Sequence, residues 1–317
     1  DTDYETQTGM TGITHSYILN TTAYSKFTIA FTGMRNSIQL DSFSYSDHSK
    51  WRSYGSDFRQ GKVSANYLFL KKFNSKNTLK SGGSATDLLI NLKDSANYSV
   101  TRFRHLRDIK TSTWMLQGFS QWQHRFNDRL TFNTGIHAQL LTLNNSFALE
   151  PRLGIRWQTG EKTAISFGSG MHAQMQTVFT YFNQTMLGDG SYILTNKKIG
   201  FSKAMHGVIA FDWNFFHNMR LKSEVYYQSL YDIPGLARSS FYSGLNEGAD
   251  FGAPGIDSLV NNGTGRNYGV ELTLEKFYSK GYYFLLTTSL YKSYFTPSNN
   301  IERQTAFSGN YVVNALI

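Results

Sequence analysis

The chain alternates apolar and polar side chains residue by residue over many of its segments. The clearest case is residues 261–292, where Val270, Leu272 and Leu274 alternate with polar residues such as Glu271. A period of two is typical of a β-strand with one apolar and one polar face, because successive side chains point to opposite sides. Each arm of this hairpin has about ten alternating residues, the length that a tilted strand needs to cross the hydrocarbon layer of a membrane.

The same pattern predicts about thirteen strands along the chain, joined in a simple order. Short turns are expected near residues 22, 75, 128, 160, 218 and 280, and long polar connections near residues 52, 102, 190, 248 and 300. A short turn near residue 144 breaks this order. Two of the long connections are predicted at residues 44–60 and 95–110, and the run Ser81-Gly82-Gly83 is expected to interrupt the fourth strand.

One end of the predicted meander therefore has mostly short turns and the other has long connections. Outer-membrane barrels show the same asymmetry, with short periplasmic turns and long extracellular loops. The expected fold is all-β, an antiparallel up-and-down transmembrane β-barrel. Bacterial single-chain barrels have an even number of strands, so we expect these strands to be part of a larger barrel. Residues 1–317 are interpreted as a single domain, and residues 1–10 lack the pattern of a signal peptide.

Composition removes several classes of protein. No run of about 18 apolar residues occurs, which excludes a transmembrane helix, and the mean hydropathy of -0.38 does not count against a barrel, in which only alternate residues face lipid. The absence of cysteine excludes disulfides and thiolate sites. The net charge of +9 is scattered, with its densest stretch at residues 102–110 in a predicted connection, so no nucleic-acid partner is expected.

Four segments resemble the barrel of TonB-dependent outer-membrane receptors. They are NNGTGRNYGVELTLEKFYSKGYYFLLTTSLYKS, RQTAFSGNYVVN (residues 303–314), ALEPRLGIRW (residues 148–157) and EVYYQSLYDIP (residues 224–234). The resemblance implies a 22-stranded barrel in the outer membrane of a Gram-negative bacterium, with an amino-terminal plug domain, that imports a scarce ligand with energy from TonB. The ligand would be a siderophore, an oligosaccharide or a peptide, no cofactor is implied, and a surface lipoprotein is a further conceivable partner. A plug, a TonB box and a closing carboxyl-terminal strand are absent from these residues, so the resemblance implies that residues 1–317 are roughly the second, carboxyl-terminal half of the barrel, short of its last strand.

Two other functions stay open beside this one. The first is a plug-less porin or a surface adhesin-like barrel, and the second is a soluble sheet protein that binds glycans. Enzyme motifs such as HExxH, GxSxG and a P-loop do not occur, so we expect no catalytic activity.

A near-repeat marks a candidate ligand path on the lumen face. Residues 135–139 and 170–174 read GIHAQ and GMHAQ, and alternation points the His and Gln of each into the lumen. These side chains could line a polar ligand path or pair two histidines on a metal, but without a carboxylate at fixed spacing the metal evidence is weak and none is predicted. A lumen wall hydrogen-bonded to the plug and water is the favoured interpretation. The candidate path residues are His137, Gln139, His172, Gln174, Gln176, Tyr226, Gln228 and Asn267.

Charged residues on the same strands must also face the lumen. A Lys or Arg that faces lipid near the midplane costs about 2 to 4 kcal/mol, so placement on the inner face is nearly forced. The set consists of Glu150, Arg152, Arg156, Lys222, Glu224, Glu271 and Glu275. Three roles remain open for these charges: contact with the plug, steering of a ligand, and ion pairs between neighbouring strands.

Overall fold

The computed structural model describes residues 1–46, 48–97, 103–248 and 255–317, and leaves the side chains of residues 103–105 undescribed. Most of this chain is extended. The strands are β1 (Thr2–Asn20), β2 (Ala23–Phe43), β3 (Lys50–Lys72), β4 (Asn77–Asn97), β5 (Phe103–Arg125), β6 (Leu130–Leu141), β7 (Ser146–Gln158), β8 (Thr163–Gln174), β9 (Thr185–Met186), β10 (Tyr192–Ile193), β11 (Ser202–Phe216), β12 (Met219–Leu236), β13 (Leu259–Ser279), β14 (Tyr282–Thr296), β15 (Arg303–Gln304) and β16 (Tyr311–Leu316). A single-turn helix, α1 (Val178–Tyr181), and a 3₁₀ turn at Gly244–Asn246 lie in connections.

The strands form an up-and-down meander. Each long strand pairs antiparallel with the next long strand along the chain, and β15 and β16 both pair with β14. Of the sixteen strands in the described ranges, β9, β10 and β15 have only two residues, which leaves thirteen longer ones, as the alternation predicted. The predicted antiparallel up-and-down architecture is confirmed. In the residues that the structure covers, no helix is long and apolar enough to cross a membrane.

Two predicted long connections are instead the extended ends of strand pairs. Strand β3 begins at Lys50, opposite Phe43 of β2, and β5 begins at Phe103, opposite Asn97 of β4. The predictions for residues 44–60 and 95–110 were therefore wrong for most of their length, while Asp47 and residues 98–102 lie outside the described residues. The physical reason is that apolar and polar residues share the inner face of these strand ends: Phe58 and Ile109 pack in an apolar cluster, whereas Ser56 and Arg107 are buried on the same face. The outer face is polar there, so no regular alternation marks these strands, and ladder hydrogen bonds and ion pairs help to stabilise them.

The glycines of β4 do not interrupt it, contrary to the sequence prediction. Strand β4 continues through Gly82 and Gly83, which pair in register with both neighbouring strands. A Cβ on Gly82 would lie 2.4 Å from the carbonyl oxygen of Tyr67 and 2.9 Å from a ring carbon of Phe119. The absence of a side chain at Gly82 therefore allows the backbone of β3 and the ring of Phe119 to approach β4 closely.

We expect Gly82→Ala to lower the free energy of unfolding by about 1 to 3 kcal/mol, because the added methyl group meets backbone that cannot move alone. Gly168→Ala is the matched control, since its Cβ would meet nothing within 4 Å, and it should change stability by less than about 0.5 kcal/mol. The measurement is urea unfolding of the full-length protein in detergent micelles, followed by tryptophan fluorescence. Equal midpoints for the two variants would contradict the close-approach explanation.

The sheet has an apolar outer face and a polar inner face. Large apolar side chains that alternate along neighbouring strands are exposed, as a lipid-facing surface requires. They include Ile13, Ile29, Val63, Tyr67, Leu116, Ile136, Leu153, Phe167, Ile209, Val225, Val270 and Leu290. Trp114, Trp122, Trp157, Trp213 and Tyr282 are exposed as well. The alternate positions of the same strands carry most of the buried polar groups.

One long connection folds back over the inner face. We call residues 175–201 the inward loop. Its buried side chains Tyr181, Phe182, Ile199 and Phe201 pack in one apolar cluster with side chains from the inner face of the sheet. The sheet contributes Phe58, Leu88, Ile90, Leu92, Met115 and Leu141 to this cluster. The inner face is therefore apolar at the end with the long connections and polar further along the strands.

Candidate functional site on the inner face

A buried carboxylate lies on the inner face near the start of β7. Glu150 on β7 is only 2% exposed. Gln139 Nε2 donates to Glu150 Oε1 at 2.7 Å, and Arg152 Nη2 donates to Oε2 at 2.9 Å. His137 Nδ1 lies 3.2 Å from the same Oε2. A buried carboxylate is stable only when charges and donors of this kind surround it, so four of the predicted lumen residues form one network.

Strand register explains the spacing of the GIHAQ and GMHAQ repeat. Arg152 on β7 lies directly between Gly135 on β6 and Gly170 on β8, and His137 lies opposite Glu150. A Cβ on Gly170 would lie 3.3 Å from Arg152 Cγ. Gly170 therefore leaves room for the arginine side chain, whereas a Cβ on Gly135 would meet the carbonyl oxygen of Ser120 on β5 at 3.0 Å. The residue two places after Gly135, His137, meets the carboxylate. The near-repeat reflects packing around Arg152 and Glu150.

A second histidine pair extends the network. The rings of His172 on β8 and His206 on β11 stack with centroids 4.7 Å apart and an interplanar angle of 10°. His172 Nδ1 lies 3.9 Å from Glu150 Oε2. The sequence analysis missed His206. This residue directly follows Met205, which is exposed on the outer face of β11, so alternation places His206 on the inner face. Over the described ranges, no three His, Cys, Asp or Glu side chains are grouped to hold a metal ion.

A second buried carboxylate organises the charges nearer the short turns. Asp212 on β11 is 5% exposed, and it accepts hydrogen bonds from Arg156 Nη1 at 3.0 Å and Arg220 Nε at 3.0 Å. Arg220 Nη1 also lies 3.9 Å from Glu275. Asp212 and Arg220 were missed because alternation assigns a face but does not show which charges meet.

The remaining predicted residues lie outside these two networks. Asn267 Nδ2 donates to Gln228 Oε1 at 2.7 Å, and Lys222 pairs with Glu224 on the same strand. Glu224 lies directly opposite Glu271 on β13. Among the described residues, Glu224 pairs with Lys222, whereas Glu271 forms no ion pair. The last three candidates are Tyr226, packed over Gly269; Gln174, exposed at the end of β8; and Gln176, bonded to Ser202 Oγ and the carbonyl of Gly200.

The inward loop lies next to the Glu150 network. Gln139 Nε2, which bonds Glu150, also donates to the carbonyl oxygen of Ala173 at 2.6 Å, just before the loop begins. Within the loop, the hydroxyl of Tyr181 accepts a hydrogen bond from the backbone N–H of Gln176 at 3.0 Å. Burial raises the pKa of Tyr181 to about 12, so the hydroxyl stays neutral at physiological pH.

A buried ion pair fastens the inward loop to the sheet. Arg107 on β5 and Asp94 on β4 are cross-strand neighbours whose side chains are 1% and 0% exposed. Arg107 Nη2 lies 2.8 Å from Asp94 Oδ2, and its Nη1 donates to the carbonyl of Phe179 in the loop at 3.5 Å. The guanidinium lies over the rings of Phe58 and Phe179, at 5.5 and 5.9 Å from their centroids. The densest basic stretch of the sequence thus includes an internal anchor, while its first residue, Arg102, lies outside the described residues.

The loop is also held by amide side chains. Asn196, which is fully buried, donates from Nδ2 to the carbonyl of Ile256 at 2.8 Å and accepts from the backbone N–H of Leu259 at 2.9 Å. Asn183 Nδ2 donates to the carbonyl of Gly255 at 3.0 Å. The inward loop and the start of β13 therefore form one hydrogen-bonded unit over the inner face.

Comparison with solved structures identifies the fold of this chain, whereas comparison of sequences finds no relative. No family model and no curated relative matches the sequence. Among solved structures, the chain is similar to the ferric-catecholate import receptor Fiu from E. coli K12 (8% identity, TM-score 0.72, 98% of this chain and 51% of that one). It is also similar to the ferric yersiniabactin uptake receptor FyuA from Yersinia pestis (11%, 0.68, 98% and 46%) and the RagAB peptide importer (10%, 0.62, 96% and 38%).

The similarity covers nearly all of this chain but only about half or less of each of those proteins. At such low identity it shows the fold. These structures are of transport proteins and receptors, not of enzymes. The sequential antiparallel meander, its apolar outer face and its charged inner face agree with that architecture. The chain therefore has the fold of the barrel portion of a TonB-dependent outer-membrane receptor, as the four resembling segments indicated.

Proposed function

We propose that residues 1–317 are part of the single barrel domain of an energy-coupled importer in the outer membrane of a Gram-negative bacterium. The observation that carries this proposal is the inner face of the sheet. There the hydrogen-bonded belt of residues around Glu150 lies beside the apolar cluster that the inward loop forms with the sheet. The fold is similar to that of import receptors. An apolar outer surface of exposed side chains suits a membrane better than water.

The belt suits a polar ligand. His137, Gln139, Arg152 and His172 offer donors and acceptors beside the carboxylate of Glu150. Such a belt can exchange its internal hydrogen bonds for bonds to a ligand with several oxygen and nitrogen groups. A siderophore, an oligosaccharide or a peptide has this chemistry, and the similar structures are named for a ferric catecholate, ferric yersiniabactin and peptides.

The proposed partners are a plug domain, TonB, the imported ligand and a surface lipoprotein over the long connections. Glu271 supports the plug contact, because it faces the lumen opposite Glu224 without an ion pair among the described residues. A basic side chain on a plug would relieve the repulsion between two adjacent carboxylates. The remaining lumen charges already have ion-pair partners: Glu150 pairs with Arg152 and Lys222 with Glu224 along one strand, whereas Arg156 pairs with Asp212 and Glu275 with Arg220 between strands. We therefore assign to them the in-plane ion-pair role.

Energy dependence separates the importer from a plug-less porin. We expect uptake by the full-length protein to stop when TonB is deleted or the proton gradient is collapsed. The ligand itself is found by testing which iron chelate, peptide or oligosaccharide no longer supports growth after deletion of the gene. A porin would pass small solutes in both conditions. Uptake that persists without TonB would therefore overturn the importer proposal.

The orientation of the sheet in the membrane gives a second prediction. Because residues 1–317 contain no cysteine, an introduced thiol is the only one in this part of the protein. Tyr45, which is fully exposed in the 44–49 connection, lies at the end with the long connections, and the exposed Ser75 lies in a short turn at the other end. In intact cells a membrane-impermeant maleimide should label Tyr45→Cys and should label Ser75→Cys only after the outer membrane is permeabilised. The reverse pattern would contradict the proposed orientation.

A further inference from the structure

The stacked histidine pair lies across the base of the inward loop. Strand β8 leads into this loop and β11 leads out of it, and in their register His172 lies opposite Ala204 and His206 opposite Gly170. The two imidazole rings therefore meet diagonally across the two strands, with centroids 4.7 Å apart and an interplanar angle of 10°. A force that separates the rings acts directly on the two strand ends that carry the loop.

Protonation of this pair would add positive charge to a region that has one carboxylate. Glu150 Oε2 already lies 2.9 Å from Arg152 Nη2 and 3.2 Å from His137 Nδ1. His172 Nδ1 is further away, at 3.9 Å from the same oxygen. The charged or titratable groups that act on His172 are Arg152, His206, Glu150 and His137. Three imidazoles and one guanidinium thus share a single carboxylate.

The other elements around the pair do not balance this charge. Among the described residues, His172 has no ion-pair partner besides Glu150, and His206 has none. On β12, the residue opposite His206 is Gln228, which is uncharged. In the loop, the Tyr181 hydroxyl stays neutral, because burial raises the pKa of Tyr181 to about 12. Two protonated rings would therefore repel each other without a compensating anion.

Hydrogen bonds that close the base of the loop lie beside the pair. Gln139 Nε2 donates to the carbonyl oxygen of Ala173, the residue after His172, at 2.6 Å. Gln176 Nε2 donates to Ser202 Oγ at 2.8 Å, which joins the two ends of the loop directly. A movement that separates the histidine rings therefore shifts the backbone that carries these hydrogen bonds.

We propose that His172 and His206 form a pH-sensitive switch that keeps the base of the inward loop closed at neutral pH and loosens it on acidification. An imidazole changes its charge between about pH 5 and pH 8. At neutral pH two uncharged rings stack, whereas at low pH two cationic rings beside Arg152 repel each other. Separation of the rings relieves this repulsion, so proton binding favours the loosened loop, and its population increases as the pH falls. This response requires only the fold, and no transported ligand.

The test measures cleavage of the inward loop by proteinase K in the purified full-length protein in detergent micelles. Residues 187–190 are exposed and offer a cleavage site, and fragment masses identify cleavage there. Rates at about pH 7.5 and about pH 5 are divided by the rate for an unstructured peptide of residues 184–193 at the same pH, which removes the pH dependence of the protease. We expect the normalised wild-type rate to increase about fivefold from the higher to the lower pH.

Two variants at one position separate charge from packing. His206→Phe keeps a flat ring that can stack on His172, and His206→Gln keeps a polar side chain, but neither can gain a proton. In both variants the ratio of the normalised rates at the two pH values should stay below about two. Because the readout is this ratio, a variant that loosens the loop at neutral pH for structural reasons still gives a result.

The matched control is His15→Phe. It removes an imidazole on β1, outside the cluster, and keeps a ring that can stack on Tyr17, whose ring centroid lies 6.5 Å from that of His15. Its ratio should equal that of the wild type.

A wild-type ratio of about one would overturn the proposal, since imidazole titration over this range would then leave the loop unchanged. An undiminished ratio in both His206 variants would also overturn it, as would an equal loss of the ratio in His15→Phe. Tryptophan fluorescence at the lower pH reports on the barrel itself. Loss of the folded emission there would assign the cleavage to global unfolding and would likewise remove the switch.

Discussion

Arg107→Met is expected to destabilise the protein by about 3 to 5 kcal/mol and to release the inward loop from the sheet. The substitution leaves Asp94 as an uncompensated buried charge, since its side chain is 0% exposed and its remaining contact is the hydroxyl of Tyr54 at 3.2 Å. It also removes the guanidinium from between Phe58 and Phe179, which anchors the loop. Met has a similar length and keeps the apolar contacts, so the change reports mainly on charge.

The loop and the whole fold are measured separately. Limited proteolysis at the exposed residues 189–190 reports on the loop, and thermal unfolding in detergent reports on the barrel. The double variant Arg107→Met with Asp94→Leu should regain most of the lost stability, because removing both partners leaves no buried charge. Arg59→Gln, an exposed arginine also paired with an aspartate, is the control and should change stability by no more than about 1 kcal/mol. Unchanged protease resistance in Arg107→Met would contradict the anchoring role.

The fold was readable from the sequence because its main determinant is local. A strand that faces lipid on one side and the lumen on the other must alternate, and this period of two is visible without any knowledge of distant contacts. The turn positions follow from the same pattern. At the ends of β2 to β5 the outer face is polar and the inner face mixes apolar with polar residues, so the signal disappears, and residues 50–60 and 103–110 were interpreted as connections although they are strands.

The candidate site was only partly readable, because alternation fixes a face but not a neighbour. His137, Gln139, Glu150 and Arg152 were correctly placed on the same side, but their convergence depends on the register between β6, β7 and β8. His206 belongs to the same cluster through a strand that follows a connection of 27 residues.

The inward loop was not predicted for a similar reason. Its buried aromatic residues resemble those of any long loop in sequence. Only the tertiary structure shows that Tyr181 packs on side chains from β4 to β6, which are distant along the chain. The burial of Arg107 depends on the same long-range packing, so a basic stretch in the sequence gave no sign of an internal ion pair.

Glu150→Gln is expected to weaken uptake about tenfold while the protein remains folded. The amide cannot carry the negative charge that Arg152, His137 and Gln139 surround, and the loss of a charge-assisted bond to Arg152 should cost about 1.5 to 3 kcal/mol of stability. Because Arg152 is 47% exposed on the lumen side, water can solvate its freed charge, which keeps the cost below that of Arg107→Met. The freed guanidinium would change the charge of the proposed ligand path. Uptake of the identified ligand over a concentration series measures this effect.

Glu224→Gln is the matched control for Glu150→Gln, because it also removes one lumen carboxylate paired with a cation but lies outside the Glu150 network. If the belt around Glu150 is the ligand path, Glu150→Gln should raise the half-saturating ligand concentration, and Glu224→Gln should leave it unchanged. If the belt is only a structural part of the lumen wall, both variants should lower stability without a change in half-saturation. Equal uptake curves for the wild type and Glu150→Gln, at equal amounts of surface protein, would remove Glu150 from the ligand path and leave it a purely structural role between β6 and β7.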